Sequence, residues 1–78
     1  MTFPDFNRIT IDPNKMGGKP CIRDMRVTVG TITGLVASGA GFSEIQELYP
    51  YLEEEDIKAA LSYASWRTEE YDISINAV

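Results

Sequence analysis

A chain of 78 residues with one cysteine and no histidine has room for one small domain. Such a domain buries only about 60 to 65% of the surface its unfolded chain exposes, and its composition excludes an intrachain disulfide and disfavours a zinc site. The net charge of −5 is divided unevenly: residues 1–39 hold five basic groups against three acidic, and residues 40–78 hold two against nine, so a surface for nucleic-acid phosphates is confined to the first half.

Residues 1–7 have no pattern and read as a loose arm. Arg8-Ile9-Thr10-Ile11-Asp12 alternates polar with β-branched apolar residues, which predicts a short half-buried strand. Pro13 to Gly18 interrupts it, since proline fixes φ and glycine opens positive φ. A second extended piece, Pro20-Cys21-Ile22-Arg23, is expected to turn through Asp24-Met25 into Arg26-Val27. Cys21 reads as a small buried hydrophobe. Gly17-Gly18-Lys19 lacks the full spacing of a phosphate loop, and Pro20 stands where that loop needs a hydroxyl.

The helical part opens at Thr28, whose side chain suits an N-cap, with Val27 and Ile32 at hydrophobic-staple spacing. The first helix is expected over 29–38, with Ile32, Leu35 and Val36 on its inner face and Gly39 and Gly41 as stops. Ser43 and Gln46 form a capping-box pattern that predicts a second helix over 44–49, turned inward at Ile45, Leu48 and Tyr49 and ended by Pro50. Leu52 and Ile57 again have staple spacing, around a cap at Glu53. The third helix is expected over 53–66 with Ile57, Ala60, Leu61 and Ala64 inward and Lys58, Ser62 and Ser65 outward. Glu54, Glu55 and Asp56 suit its positive end. Beyond Arg67, Tyr71, Ile73 and Ile75 alternate with polar residues, as in a strand awaiting a partner or a frayed end.

The layout is one domain over 1–78: strands and turns over 8–29, a three-helix bundle over 29–66 and a tail over 67–78. No run approaches the roughly 18 apolar residues of a membrane span, and the N-terminus lacks a signal peptide's basic start and apolar core. The expectation is a soluble cytoplasmic protein with no cofactor. It is not expected to be an enzyme, since no histidine, paired catalytic carboxylates or cofactor motif supplies a reaction.

The second and third helices with their brief turn make a helix-turn-helix candidate. Its reading end would carry Glu53, Glu54, Glu55 and Asp56, which phosphates repel. Backbone contact with DNA therefore falls to Lys15, Lys19, Arg23 and Arg26. Tyr63, Trp66 and Arg67 have the composition of an interface hot spot.

Taken together, Ile11-Asp12-Pro13, Gly18-Lys19-Pro20-Cys21-Ile22, Arg26-Val27-Thr28-Val29, residues 41–45, Tyr49-Pro50, Leu52, Asp56-Ile57 and residues 59–64 resemble the bacterial family catalogued as domain of unknown function 433. The resemblance covers residues 8–66. It implies a mainly α protein, a homeodomain-like three-helix bundle preceded by short N-terminal β-strands, often a homodimer. It also implies a VapB-type antitoxin of a type II toxin-antitoxin system, which inhibits a PIN-like ribonuclease toxin and often binds its own operator DNA. Docking on the toxin would then use Tyr63, Trp66, Arg67, Tyr71, Ile73 and Ile75. A DNA-binding regulator using the basic half is the alternative. Two positions depart from the family's habit: Asp24-Met25 stands where Gly-Thr is usual, and Glu53 where serine or threonine more often caps the third helix.

Overall fold

The structure, a computed structural model, describes the backbone of residues 2, 3 and 6–76 and the side chains of residues 6–68. Three short strands, β1 (Thr2–Phe3), β2 (Phe6–Thr10) and β3 (Cys21–Ile22), form one antiparallel sheet in the order β1-β2-β3. Three helices follow: α1 (Val29–Ala37), α2 (Phe42–Leu48) and α3 (Glu54–Asn76). The protein is thus mainly α with a small N-terminal sheet, as the sequence led one to expect.

The β2 strand begins two residues earlier than its alternation suggested, and Phe6 belongs to it rather than to a loose arm. Its ring meets Tyr63 edge-on at 5.6 Å and Trp66 at 5.7 Å. That aromatic contact ties β2 to α3, and the register pairs Ile9 with Ile22 and Thr10 with Cys21. The turn that follows β3 is centred on Arg23-Asp24, not on Asp24-Met25. Both residues have positive φ, 44° and 62°, and the Met25 amide donates to the Ile22 carbonyl at 2.8 Å, which is the twist that suits a two-residue hairpin.

The Thr28 cap forms: its Oγ1 accepts from the Thr31 amide at 3.0 Å. At the other end of α1, the Ala40 amide donates to the Leu35 carbonyl and the Gly39 amide to that of Val36, each at 3.0 Å. With Gly39 at φ 100° this is a Schellman stop, a conformation that a side chain would strain. The α2 helix starts at Phe42 rather than at residue 44. Its N-cap is Gly41, and Glu44 reaches back to the Gly41 amide at 3.3 Å, so Ser43 lies inside the first turn and Gln46 instead donates to the Leu52 carbonyl.

The core comprises Ile9, Ile22, Val27, Val29, Ile32, Ile45, Leu52, Ile57, Ala60 and Tyr63. Both staple pairs lie within it. Two expectations about faces are corrected. Leu48 is 61% exposed, because it shares the outer side of α2 with Glu44 one turn earlier while Ile45 points inward. Tyr63 is buried, so the inward stripe of α3 runs Ile57, Ala60, Tyr63, and Leu61 and Ala64 flank it half-buried.

The third helix does not end at residue 66 but continues to Asn76, about three more turns at 1.5 Å per residue. The segment read as a strand or frayed end is therefore helical backbone. The side chains of Tyr71, Ile73 and Ile75 lie outside the described residues. Among the described residues no helix is long and apolar enough to cross a membrane.

Candidate functional site

The densest polar constellation surrounds Asp56, whose side chain is fully buried. It sits at the third residue of α3, where a carboxylate reaches back to the amide preceding the helix: Oδ2 accepts from the Glu53 amide at 2.8 Å. This is the reciprocal half of a capping box. The turn over Arg23-Asp24 brings a guanidinium to the same carboxylate. Arg23 donates from Nε to Oδ1 at 2.9 Å and from Nη2 to Oδ2 at 2.7 Å, the bidentate geometry that makes such pairs strong. From β2, Arg8 Nη1 donates to Asp56 Oδ1 at 2.8 Å and to Glu53 at 2.6 Å.

Burial pushes the Asp56 carboxyl up. The hydrogen bonds from Arg23, the Glu53 amide and Arg8 together outweigh that push and hold it below the usual carboxylate value. Both of its oxygens are occupied twice over, so it has no lone pair poised to take a proton from a substrate. Chemically the cluster is a clasp: it joins β2, the hairpin turn and the start of α3. Nη2 of Arg23 also donates to the Tyr51 carbonyl at 3.0 Å, extending the clasp to the corner between α2 and α3.

This arrangement redistributes the residues considered for DNA. Arg23 is committed to Asp56, and Lys15 is held by Asp24 through its carboxylate, at 2.9 Å, and its backbone carbonyl. Neither is available as a phosphate contact while those pairs stand. Lys19 and Arg26 are exposed. Arg8, part of the same basic half, is likewise paired.

Of the residues considered for a toxin interface, Tyr63 is only 4% exposed and is a core residue rather than a surface anchor. Trp66 is 39% exposed and rests against Tyr63 at 5.9 Å as well as against Phe6. Arg67 is exposed. Cys21 is buried with its Sγ 3.3 Å from the Lys19 carbonyl, and burial pushes its thiol up, as suits a structural rather than a reactive cysteine.

Sequence reasoning missed two features. One is the clasp, whose members are separated by 33 and 48 positions. The other is the α2–α3 corner, where Leu48 and Tyr51 are 61% and 52% exposed. The available signal for the corner was Pro50 within a run of large apolar residues, which forces the chain out of helix before all of them can be buried.

A sequence model of the family described as "Protein of unknown function (DUF433)" matches residues 9–64. The uncharacterized protein y4eO of Sinorhizobium fredii is 36% identical over 56 residues, which is 72% of this chain. The chain spans only a quarter of that relative's length, 25%. The crystal structure of a DUF433 member protein from Anabaena variabilis superposes with a TM-score of 0.76 at 36% identity, covering 90% of this chain and 69% of that one.

Proposed function

The chain belongs to the DUF433 family of proteins of unknown function, and from that premise we propose that it is a protein-binding module: the antitoxin of a type II toxin-antitoxin pair, with a PIN-like ribonuclease as the partner it silences. In this reading α2 and α3 form a homeodomain-like helix-turn-helix pair used against protein.

The observation that carries the reading is the disposition of charge. Residues 40–78 balance at −7, and Glu44, Glu47, Glu54 and Glu55 are exposed, while Arg8 and Arg23 of the basic half are turned onto Asp56. A ribonuclease presents basic residues to RNA, and an acidic surface complements them. The continuation of α3 to Asn76 supports the reading further: the segment assigned to docking extends from a helix whose first half is fixed in the core, which lowers the ordering cost of binding. Operator contact would be left to Lys19 and Arg26, so the regulator reading is the weaker of the two.

The test is co-expression with the product of the adjacent reading frame, followed by a pull-down and a ribonuclease assay. The expected result is a stable complex with suppressed nuclease activity, and loss of that complex when residues 67–78 are deleted. A nuclease that stays fully active beside this protein would overturn the reading, and a salt-dependent titration of upstream DNA would then take its place.

A further inference from the structure

We propose that the α2–α3 corner, with Leu48 and Tyr51 at its centre, is a docking surface for a basic amphipathic segment of a protein partner. The proposal rests on the antitoxin reading for the identity of that partner but not for its chemistry.

Among the described residues, large apolar side chains are exposed at Met16, Leu48, Tyr51 and Trp66. Leu48 and Tyr51 differ from the other two in lying three positions apart at a single bend. The bend is held rather than loose. The Leu52 amide donates to the Tyr49 carbonyl at 2.9 Å, Gln46 Nε2 to the Leu52 carbonyl at 3.2 Å, and Arg23 Nη2 to the Tyr51 carbonyl at 3.0 Å. The Tyr51 ring meets Tyr49 edge-on at 6.2 Å. An exposed leucine and tyrosine on a fixed backbone lose little freedom when covered, and tyrosine is among the residues enriched at the energetic centre of interfaces.

Charge around the bend selects the occupant. Glu44 and Glu47 lie on the outer side of α2, and Glu53, Glu54 and Glu55 open α3. Arg8 answers Glu53, and Lys58 lies 3.8 and 3.7 Å from Glu54 and Glu55. The remaining field is acidic. A second copy docking here in the same way would set one acidic rim against another, and nucleic acid would meet carboxylates with phosphates. Lysine or arginine around an aliphatic stripe answers both the apolar centre and the acidic rim.

The probe is a synthetic amphipathic helix of leucine and lysine, titrated into the full chain and followed by amide chemical shifts. A leucine–glutamate helix and oligolysine serve as comparators. The expected result is perturbation centred on residues 48–55 by the leucine–lysine helix, weaker perturbation by oligolysine, none by the leucine–glutamate helix, and weakening of affinity by about tenfold or more in the double variant Leu48→Ser/Tyr51→Ser. The variant's own spectrum reports that it is folded. A Glu47→Lys/Glu54→Lys variant gives an independent reading and should weaken the same titration.

Perturbation centred elsewhere, or an affinity unchanged from wild type in both variants, would overturn the proposal. So would concentration-dependent shifts at the same amides without peptide, which would make a second copy the occupant. The two readings fail separately. If the adjacent-frame nuclease does not bind but the peptide engages the corner, the antitoxin reading falls and the corner stands. If the nuclease binds wild type and the Leu48→Ser/Tyr51→Ser variant alike and the peptide does not perturb the corner, the reverse holds.

Discussion

Arg23 and Asp56 are 33 positions apart in the chain and meet through two hydrogen bonds of 2.9 and 2.7 Å, one residue in a left-handed turn position and the other the only fully buried carboxylate among the described residues. Left-handed φ is unfavourable for arginine by about 1 kcal/mol. The ion pair compensates for it and couples the sheet to the helices. Asp56→Ala is therefore expected to destabilise by about 2 to 3 kcal/mol, somewhat less than the roughly 3 to 5 kcal/mol of a fully buried broken pair, since the arginine side chains remain 32% and 38% exposed to water. A thermal melt should show a fall on the order of 15 °C, and a fall within error of surface-carboxylate controls such as Glu54→Ala would refute the clasp.

Acid should act through the same carboxylate. Its value is depressed in the folded protein, so its contribution is complete above the unfolded value of about 4 and is lost as pH falls through the lower, folded value. The stability gap between wild type and Asp56→Asn should be constant from neutral pH down to the unfolded value and shrink below it. Urea midpoints taken over that range report the gap, and a gap independent of pH would show that folding does not depress the Asp56 value.

At Asp24, φ is 62°, a position at which aspartate is tolerated and glycine is unstrained. Asp24→Gly should change stability by less than about 0.5 kcal/mol, because relief of the left-handed conformation is offset by greater freedom of the unfolded chain. By contrast Asp24→Val should lose about 2 kcal/mol. Equal denaturation midpoints for the two variants would contradict the turn geometry.

Gly39 makes a similar but simpler case. A Cβ built there meets nothing within 4 Å, so the only penalty for Gly39→Ala is the positive φ, worth about 1 kcal/mol. Stabilisation by this substitution would mean that α1 does not end in the Schellman stop.

The parts of the fold that depend on neighbours within a few residues were legible in the sequence: the Thr28 cap, the two staple pairs, the stop at Gly39 and the burial of Cys21. The clasp was not, because nothing local distinguishes Asp56 from Glu53, Glu54 and Glu55. Only position settles it, since the third residue of a helix turns its carboxylate back toward the preceding amide and here toward the sheet. The length of α3 was misjudged for a different reason. The alternation of Tyr71, Ile73 and Ile75 suggested a strand, yet from Glu53 onward the chain contains neither glycine nor proline, and a helix already nucleated in the core propagates when nothing stops it. Leu48 was read as core because hydrophobic identity alone does not reveal which side of a two-turn helix faces outward.

The span of chain between the clasp's partners has a kinetic consequence. Arg8 and Asp56 are 48 positions apart, so their contact closes a long loop and pays its entropy only once both ends are already in place. The clasp is therefore expected to form after the rate-limiting step of folding and to break before it in unfolding. In stopped-flow chevrons, Asp56→Asn should leave the refolding limb nearly unchanged and raise the unfolding limb, making the clasp a determinant of how long the protein stays folded rather than of how fast it folds.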